Sequence, residues 1–274
     1  MLRLVVTDLD GTLLNSRSEA PVEIFDIIRA LQARGVRFAV ASGRQVNDMR
    51  EIFKGLNGIC FISQNGSYIE IDGAEMRNTV ISGESASAIA RTAYECRLFT
   101  MFYTKDALMI QDDDPGFIKK LNDYKVHFTY SRKVDLESGI GKISLMALDD
   151  NAGCFKSRFS SIADIATCVS SKDILDFNSS TCNKGTAVTL LQEKLGISPD
   201  ETIVFGDAEN DVSMFATSTH SYAMMNAPES VKQHARYVAP SNDDLGVVRV
   251  LREIQNLDGI RTREQWNNNE KSLY

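Results

Sequence analysis

Two carboxylates, one residue apart, follow the first apolar segment of the chain. Asp8 and Asp10 lie in the stretch TDLDGTLLNS (residues 7–16), directly behind the apolar run LVV. Side chains two residues apart on an extended segment project to the same side, so we expect the two carboxylates to converge. Because like charges at short range repel, such a pair holds a cation or keeps a proton. The spacing therefore indicates metal or acid/base chemistry.

Further polar groups follow other apolar segments of the chain. One hydroxyl comes directly after the predicted strand VRFAVA, three polar side chains come shortly after the predicted strand TIVF, and a lysine begins the predicted helix that precedes TIVF. These residues are Ser42, Asp207, Asn210, Asp211 and Lys184. Ligands of open parallel sheets bind beyond the carboxyl ends of the strands. We therefore expect all of these groups to line one crevice with Asp8 and Asp10.

The residue types in this crevice are typical of phosphoryl transfer. Asp8, Asp10 and Asp207 supply the hard oxygen ligands that Mg²⁺ prefers, and Mg²⁺ completes its shell with water and substrate phosphate. Lys184 and the Ser42 hydroxyl would hold phosphoryl oxygens. One carboxylate would then attack phosphorus to form an aspartyl phosphate. The second carboxylate would donate a proton to the leaving oxygen and later accept one from the hydrolytic water.

The elements that must position these residues alternate between strand and helix at both ends of the chain. Pro21 and Gly35 bracket an amphipathic helix between two predicted strands, and this order predicts a parallel sheet. The alternating stretch SYIEI, between the turn dipeptides Asn65-Gly66 and Asp72-Gly73, predicts a hairpin that leaves the sheet.

The middle of the chain has a different pattern. We expect helices near 85–97, 116–124 and 152–163, and strands near 98–111, 142–148 and 166–178. From Lys184 the parallel-sheet pattern returns, ending with a helix near 245–257. The fold class predicted is α/β: a Rossmann-like parallel sheet with helices on both faces, formed by residues 1–82 and 183–274, and interrupted by an α+β domain at 83–182.

Composition favours a small-molecule partner. The 274 residues suggest two domains. The net charge of −7 opposes non-specific binding to nucleic acid or to anionic membranes, so neither partner is expected. The five cysteines form no C-x-x-C pair, which argues against a disulfide framework or a zinc site. No apolar stretch reaches the ~18 residues of a membrane span, and a cytoplasmic location is expected.

Four stretches of the sequence resemble, in the same order, the four motifs of the haloacid dehalogenase (HAD) superfamily. They are DLDGT (8–12), ASGR (41–44), NKG (183–185) and GDAENDVSM (206–214). The insert between the second and third motifs resembles the C2-type cap of the Cof-like (type IIB) sugar-phosphatase-like subfamily. The resemblance extends to residue 254, with departures at ATSTHSYAMMNA (216–227) and SNDDLGV (241–247).

The resemblance implies a role for each site residue and Mg²⁺ as the cofactor. Asp8 would be the nucleophile and a metal ligand, and Asp10 the general acid/base with its backbone carbonyl on the metal. Asp207 would be a further metal ligand, and Asp211 would support the metal shell or the lysine. The phosphate-binding residues would be Leu9, Ser42, Gly43, Lys184 and Asn210.

The sequence thus favours a Mg²⁺-dependent phosphatase of small phosphate monoesters, with sugar phosphates as the best substrate class. One alternative is a phosphomutase similar to phosphomannomutase, which returns the phosphoryl group to a bound sugar. Another is a non-enzymatic receiver, in which an aspartate accepts phosphate as a signal. A receiver needs neither an acid/base at Asp10 nor a large insert, so the sequence disfavours it.

Overall fold

Short apolar segments from both ends of the chain pair into one eight-stranded sheet, and segments from the middle form a six-stranded sheet. The computed structural model describes residues 1–137, 139–149 and 151–258, so the polar tail lies outside the described residues. In chain order the strands are β1 (Leu4–Thr7), β2 (Arg37–Ala41), β3 (Ile59–Ser63), β4 (Tyr68–Ile71), β5 (Ala74–Asn78), β6 (Phe99–Tyr103), β7 (Leu108–Ile110), β8 (Thr129–Tyr130), β9 (Lys142–Met146), β10 (Ile165–Ser171), β11 (Ile174–Ser179), β12 (Thr202–Gly206), β13 (His220–Met224) and β14 (Tyr237–Ala239).

Eight α-helices connect these strands in the described part of the chain. They are α1 (Glu23–Ala33), α2 (Val46–Ile52), α3 (Gly83–Glu95), α4 (Pro115–Asp123), α5 (Lys184–Leu195), α6 (Val212–Phe215), α7 (Glu229–Lys232) and α8 (Gly246–Asp258). Among the described residues, no helix combines the length and the apolar character needed to cross a bilayer.

The eight-stranded sheet has the order β14-β13-β12-β1-β2-β3-β4-β5, and its first six strands are parallel. Strand β1 is central and buried on both faces. Val5 belongs to the core packed by α1, α2 and α8, whereas Leu4 and Val6 belong to the core packed by α5 and α6. Because successive side chains alternate between faces, a strand with helices on both sides must be apolar throughout. The predicted α/β class is confirmed.

The six-stranded sheet has the order β10-β11-β9-β6-β7-β8 and is antiparallel except between β7 and β8. Its strands fall within residues 99–179. Helix α3 packs on one face, where Ile89 belongs to the same buried cluster as Phe102 and Phe177. Helix α4 packs on the other face through Phe117 and Leu121. The boundaries of a separate domain at 83–182 stay a prediction.

Two expectations about individual elements are wrong. The hairpin of β4 and β5 does not leave the sheet but extends its edge, because β4 pairs antiparallel with β3. The segment predicted as a helix at 152–163 is a 3₁₀-helix over Ala152–Phe159, in a sequence whose Gly, Cys, Phe and Ser are poor α-helix formers. The segment 216–227, for which no secondary structure is predicted from the sequence, contains β13, which pairs in parallel with its neighbours β12 and β14.

Asn183 caps the helix that begins with Lys184. Its side chain accepts a hydrogen bond from the Thr186 backbone N–H, and the Thr186 hydroxyl accepts one from the Asn183 backbone N–H. This reciprocal pair satisfies donors that a helix start leaves without partners.

Replacing this cap is expected to destabilise the protein modestly. Asn183→Ala should lower the free energy of unfolding by about 1 kcal/mol, because the first turn of α5 loses its acceptor. Asn183→Asp keeps an acceptor oxygen and should retain most of the stability. Urea unfolding of the two variants checks this, and equal losses in both would contradict the capping role.

Candidate active site

A cavity of about 140 Å³ lies where the two sheets face each other. The loops after β1, β2 and β12 contribute Asp8, Asp10, Ser42, Gly43 and Asn210 to its wall. The six-stranded sheet contributes both apolar and polar groups, including Met101, Tyr103, Lys142, Ser144, Met146 and Asp176. The crevice predicted beyond the carboxyl ends of the parallel strands therefore exists and is covered by the second sheet.

Lys184 joins the end of β1 to the loop after β12. Its Nζ lies 2.6 Å from Asp8 Oδ1 and 2.6 Å from Asp211 Oδ1, and its side chain is 1% exposed. Asp211 Oδ2 also accepts the backbone N–H groups of Asp207 and Ala208, at 2.9 and 3.0 Å. Both carboxylate oxygens of Asp211 therefore accept hydrogen bonds, one from the lysine and the other from the loop after β12.

Asp207 is held beside Asp8 by the loop that follows β1. Thr12 Oγ1 donates to Asp207 Oδ1 at 2.7 Å. Gly11 has φ +78°, and a Cβ at this position would lie 2.4 Å from Asp207 Oδ2. Glycine is needed here because any side chain would displace the carboxylate. The DLDGT stretch thus provides both the contact and the space for Asp207.

The three aspartates form a concentrated negative cluster. One carboxylate oxygen from each of Asp8, Asp207 and Asp211 lies within 4.8 Å of the others. Burial raises the pKa of Asp8 well above its ordinary value, although Lys184 opposes this, and the charges of Asp211 and Asp207 raise it further. Burial, together with the charge of Asp211, raises the pKa of Asp207 to about 7. The acidic groups of this cluster therefore outnumber the positive charges beside them.

The lysine in the cluster remains a cation. Burial by itself lowers the pKa of Lys184, but the charges of Asp211 and Asp8 outweigh burial, so that the pKa lies above its ordinary value. When all three carboxylates are ionised, one ammonium leaves two negative charges uncompensated. A divalent cation would supply that charge, and carboxylate oxygens are ligands of the kind Mg²⁺ prefers.

The hydrogen bonds to the three carboxylates show which of their oxygens are available to such a cation. Within the described part of the chain, no hydrogen-bond donor engages Oδ2 of Asp8 or Oδ2 of Asp207, whereas both oxygens of Asp211 are engaged. Asp8 and Asp207 are therefore the fitting ligands, and Asp211 fits a supporting role. The carboxylate of Asp10, included in the predicted metal set, is outside this cluster.

Asp10 pairs with an arginine that the sequence interpretation did not assign. Arg44 donates from Nε to Asp10 Oδ2 at 2.7 Å and from Nη2 to Asp10 Oδ1 at 2.6 Å. The Nη2 atom also lies 3.3 Å from the Tyr124 carbonyl oxygen, just beyond α4. Strand β1 ends at Thr7, so Asp8 and Asp10 follow the strand and do not lie on its face, although both line the same cavity. Both carboxylates reach the cavity from a loop, each with its own cation.

The predicted phosphate-binding residues differ in how they meet the cavity. Ser42, Gly43 and Asn210 line it directly. Leu9 has a fully buried side chain in the core, so only its backbone could serve. Lys184 reaches the cavity through its contact with Asp8. No observation tests these phosphate contacts, and they stay predictions.

The sequence interpretation missed several polar residues around the cavity. Arg44 stands inside the ASGR stretch, so its type and position were visible. Lys142 and Ser144 occupy alternate positions of the apolar strand KISLM, a pattern that places both on one face. Asp176 and Asn65 carried no local signal, because only the meeting of the two sheets brings them together at 2.7 Å.

Known proteins resemble this chain over nearly its full length. A family model described as haloacid dehalogenase-like hydrolase matches residues 5–251. The 5-amino-6-(5-phospho-D-ribitylamino)uracil phosphatase YbjI of Escherichia coli is 28% identical over 262 residues, covering 92% of this chain and 96% of that protein. The phosphatase YwtE of Bacillus subtilis, with the same named substrate, is 26% identical over 281 residues, covering 92% and 98%.

A solved structure shows the same fold. The crystal structure of SMU.1108c from Streptococcus mutans has a TM-score of 0.87 with 24% identity, covering 94% of this chain and all (100%) of that one. The agreement spans both sheets, so the architecture described above occurs in an experimentally determined protein.

Removing the buried ammonium is expected to destabilise the fold strongly. Lys184→Met should lower the free energy of unfolding by about 3–5 kcal/mol, because Asp8 and Asp211 then lose their shared cation in a buried site. Lys194→Met changes an exposed lysine on the same helix and is the matched control. Chemical unfolding in chelator measures both variants, and equal stabilities would contradict the structural role of Lys184.

Proposed function

The chain belongs to the haloacid dehalogenase-like hydrolase family, and from this premise we propose that it hydrolyses small phosphate monoesters with Mg²⁺ through an aspartyl phosphate on Asp8. The resemblance noted in the four sequence motifs is confirmed, and the named relatives are phosphatases. The metal, the role of each residue and the substrate class are the proposal. The observation that carries it is the buried carboxylate of Asp8, which faces the cavity beside a cation and two further aspartates.

The surroundings of Asp8 suit a nucleophile. Lys184 holds Oδ1 of Asp8, and the carboxylate oxygen of Asp8 that is not bound to the cation would attack phosphorus. The attack forms an oxygen–phosphorus bond and breaks the bond to the leaving alkoxide, which takes a proton from Asp10. Water then attacks the aspartyl phosphate, gives a proton to Asp10 and releases inorganic phosphate.

Asp10 needs a change of partner to perform this role. Both of its oxygens accept hydrogen bonds from Arg44, so proton donation requires at least one of these bonds to open. A phosphate group entering the cavity brings acceptor oxygens that compete for the arginine. Substrate binding would thereby release Asp10 at the moment when its proton is needed.

Other groups that line the cavity suit the phosphate. The Ser42 hydroxyl, the backbone of Gly43 and the amide of Asn210 face the space beside Asp8. Lys184 uses two of its three N–H donors on carboxylates, which leaves one for a phosphoryl oxygen. The backbone N–H of Leu9 completes the proposed set.

Asp8 and Asp207 would hold Mg²⁺, with Asp211 positioning the loop and the backbone carbonyl of Asp10 as a further proposed ligand. The bound cation would neutralise charge on the transferring phosphoryl group. It would also favour the ionised form of two carboxylates whose pKa values burial raises.

The six-stranded sheet would serve as a C2-type cap that spans residues 83–182 and selects the leaving group. Apolar side chains such as Met101 and Met146 lie beside the polar groups of Lys142 and Ser144 in the cavity wall. Such a mixed wall suits a sugar or sugar-alcohol phosphate that carries some apolar surface. The ribityl phosphate in the names of two relatives agrees with this class.

Loss of the nucleophile is expected to abolish turnover. Asp8→Asn keeps the shape of the side chain but removes the attacking oxygen's charge, so phosphate release from a panel of sugar phosphates should fall to background. Asp200→Asn, on an exposed turn, is the control and should match the wild type. Retained hydrolysis in the Asp8 variant would exclude Asp8 as the nucleophile. If the wild type isomerised a sugar phosphate without releasing phosphate, the protein would be a mutase.

Removal of divalent cations is expected to stop the reaction. Chelator should suppress phosphate release, and added Mg²⁺ should restore it. Asp207→Asn, which lacks one proposed ligand charge, should need a higher Mg²⁺ concentration than the wild type for half-maximal activity. A Mg²⁺ titration of both proteins measures this, and an unchanged requirement in the variant would rule out Asp207 as a ligand.

A further inference from the structure

The turn formed by Gln64, Asn65 and Gly66 lies where several chain segments meet around the cavity. All three residues have positive φ, at 52°, 57° and 101°. Non-glycine residues adopt this conformation rarely, and it persists where the surrounding structure holds it in place. A Cβ at Gly66 would lie 2.4 Å from the carbonyl oxygen of Asn183, the residue before the buried lysine. The turn is therefore pressed against the start of α5.

Backbone hydrogen bonds tie the same turn to the loop after β2. The Asn65 N–H donates to the Ser42 carbonyl oxygen at 3.0 Å, and the Gln64 N–H donates to the Arg44 carbonyl oxygen at 3.1 Å. Because Ser42 lines the cavity, the side chain of Asn65 is held at a fixed distance from the candidate phosphate site.

The Asn65 amide bridges the six-stranded sheet and the loop after β12. Its Nδ2 donates to Asp176 Oδ2 at 2.7 Å, and its Oδ1 accepts from Asn210 Nδ2 at 3.1 Å. Asp176 also accepts from Ser144 Oγ and from Lys142 Nζ, so its oxygens act as acceptors. A carboxylate oxygen that acts as an acceptor requires the nitrogen of Asn65 to face it.

A second contact fixes the same orientation. Asn178 Nδ2 donates to the carbonyl oxygens of Gln64 and Gly141, which turns its own Oδ1 towards Asn65 Nδ2 at 3.4 Å. Two acceptors thus face the nitrogen of Asn65. Its Oδ1 must face Asn210, where only an N–H donor can meet it.

The orientation of Asn210 follows from this chain of bonds. If the Asn210 amide were reversed, its Oδ1 would face Asn65 Oδ1, and two acceptor oxygens would be in contact. In the observed orientation, Nδ2 keeps a second hydrogen for a phosphoryl oxygen, and Oδ1 is buried with no hydrogen-bond partner among the described residues. A buried acceptor without a partner is energetically unfavourable, so a ligand that supplies a donor gains from pairing with it.

We propose that Asn65 is a positioning residue that fixes the amide of Asn210 in the phosphate site and couples it to the six-stranded sheet through Asp176. This inference rests on the proposed phosphatase function. Asn65 acts through Asn210 and touches no reacting atom. When the six-stranded sheet covers the cavity, Asp176 orients Asn65, and Asn65 in turn orients Asn210. Asparagine suits the position because it tolerates positive φ and carries both a donor and an acceptor.

Three variants distinguish the contribution of the Asn65 side-chain amide from that of its backbone conformation. Asn65→Gly keeps the left-handed backbone but removes the amide. Asn65→Asp keeps the shape but sets a carboxylate against Asp176. The double variant Asn65→Asp with Asp176→Asn reverses the relay, because the new amide donates to the new carboxylate, which still accepts from Asn210. Asn57→Asp, on an exposed loop, is the control for the chemical change.

The measurements are kcat and KM with p-nitrophenyl phosphate and Mg²⁺, the Kd of inorganic phosphate, and the thermal midpoint of unfolding. Both single variants should lose about 10- to 100-fold in kcat/KM and in phosphate affinity, as is common when an orienting partner is removed. The double variant should recover about tenfold over Asn65→Asp, a coupling of about 1.4 kcal/mol.

Two outcomes would overturn the inference. Full activity in Asn65→Gly would show that only the backbone of the turn matters, and a double variant no better than Asn65→Asp would show that the amide relay does not operate. Phosphate affinity is measured without turnover. A wild type that hydrolyses no phosphate ester would therefore defeat the proposed function, while the affinity series would still test the relay.

Discussion

The buried ammonium of Lys184 is the interaction on which the site depends. An ion removed from water is costly unless it is paired and hydrogen-bonded, and Lys184 satisfies this condition only between Asp8 and Asp211. The end of β1, the start of α5 and the loop after β12 must therefore meet at one point. Asp211 also accepts hydrogen bonds from two backbone N–H groups of that loop. These bonds hold the loop so that Asp207 lies beside Asp8.

The second constraint is the contact between the two sheets. Arg44 links Asp10 to the Tyr124 carbonyl oxygen. On the opposite side, Glu209 in the loop after β12 accepts from Lys156 Nζ at 2.8 Å and from the Val169 N–H at 3.1 Å. Charged residues next to the catalytic candidates are thus engaged by the covering sheet. Such closure excludes water and strengthens the electrostatic interactions inside the cavity.

The same arrangement explains why polar residues occur inside an otherwise apolar sheet. Lys142 is buried, yet its Nζ lies 3.4 Å from Asp176 Oδ2 and 4.0 Å from the centroid of the Tyr103 ring. Both contacts stabilise its charge. Their location in the wall of the cavity gives the sheet a fixed pattern of charge and apolar surface beside the candidate catalytic residues.

The sequence by itself determined the α/β class, the sheet-forming segments that carry the candidate residues, and the family, because apolar periodicity and short motifs are local properties. It also placed Asp8, Ser42 and Asn210 in one crevice, since the carboxyl ends of parallel strands share an edge. Only the tertiary structure decided that Asp10 pairs with Arg44, that Asp211 joins Asp8 and Asp207, and that Asn65 meets Asp176. Asn65 and Asp176 lie 111 positions apart. All of these pairings depend on how the loops and the second sheet pack, which no local pattern encodes.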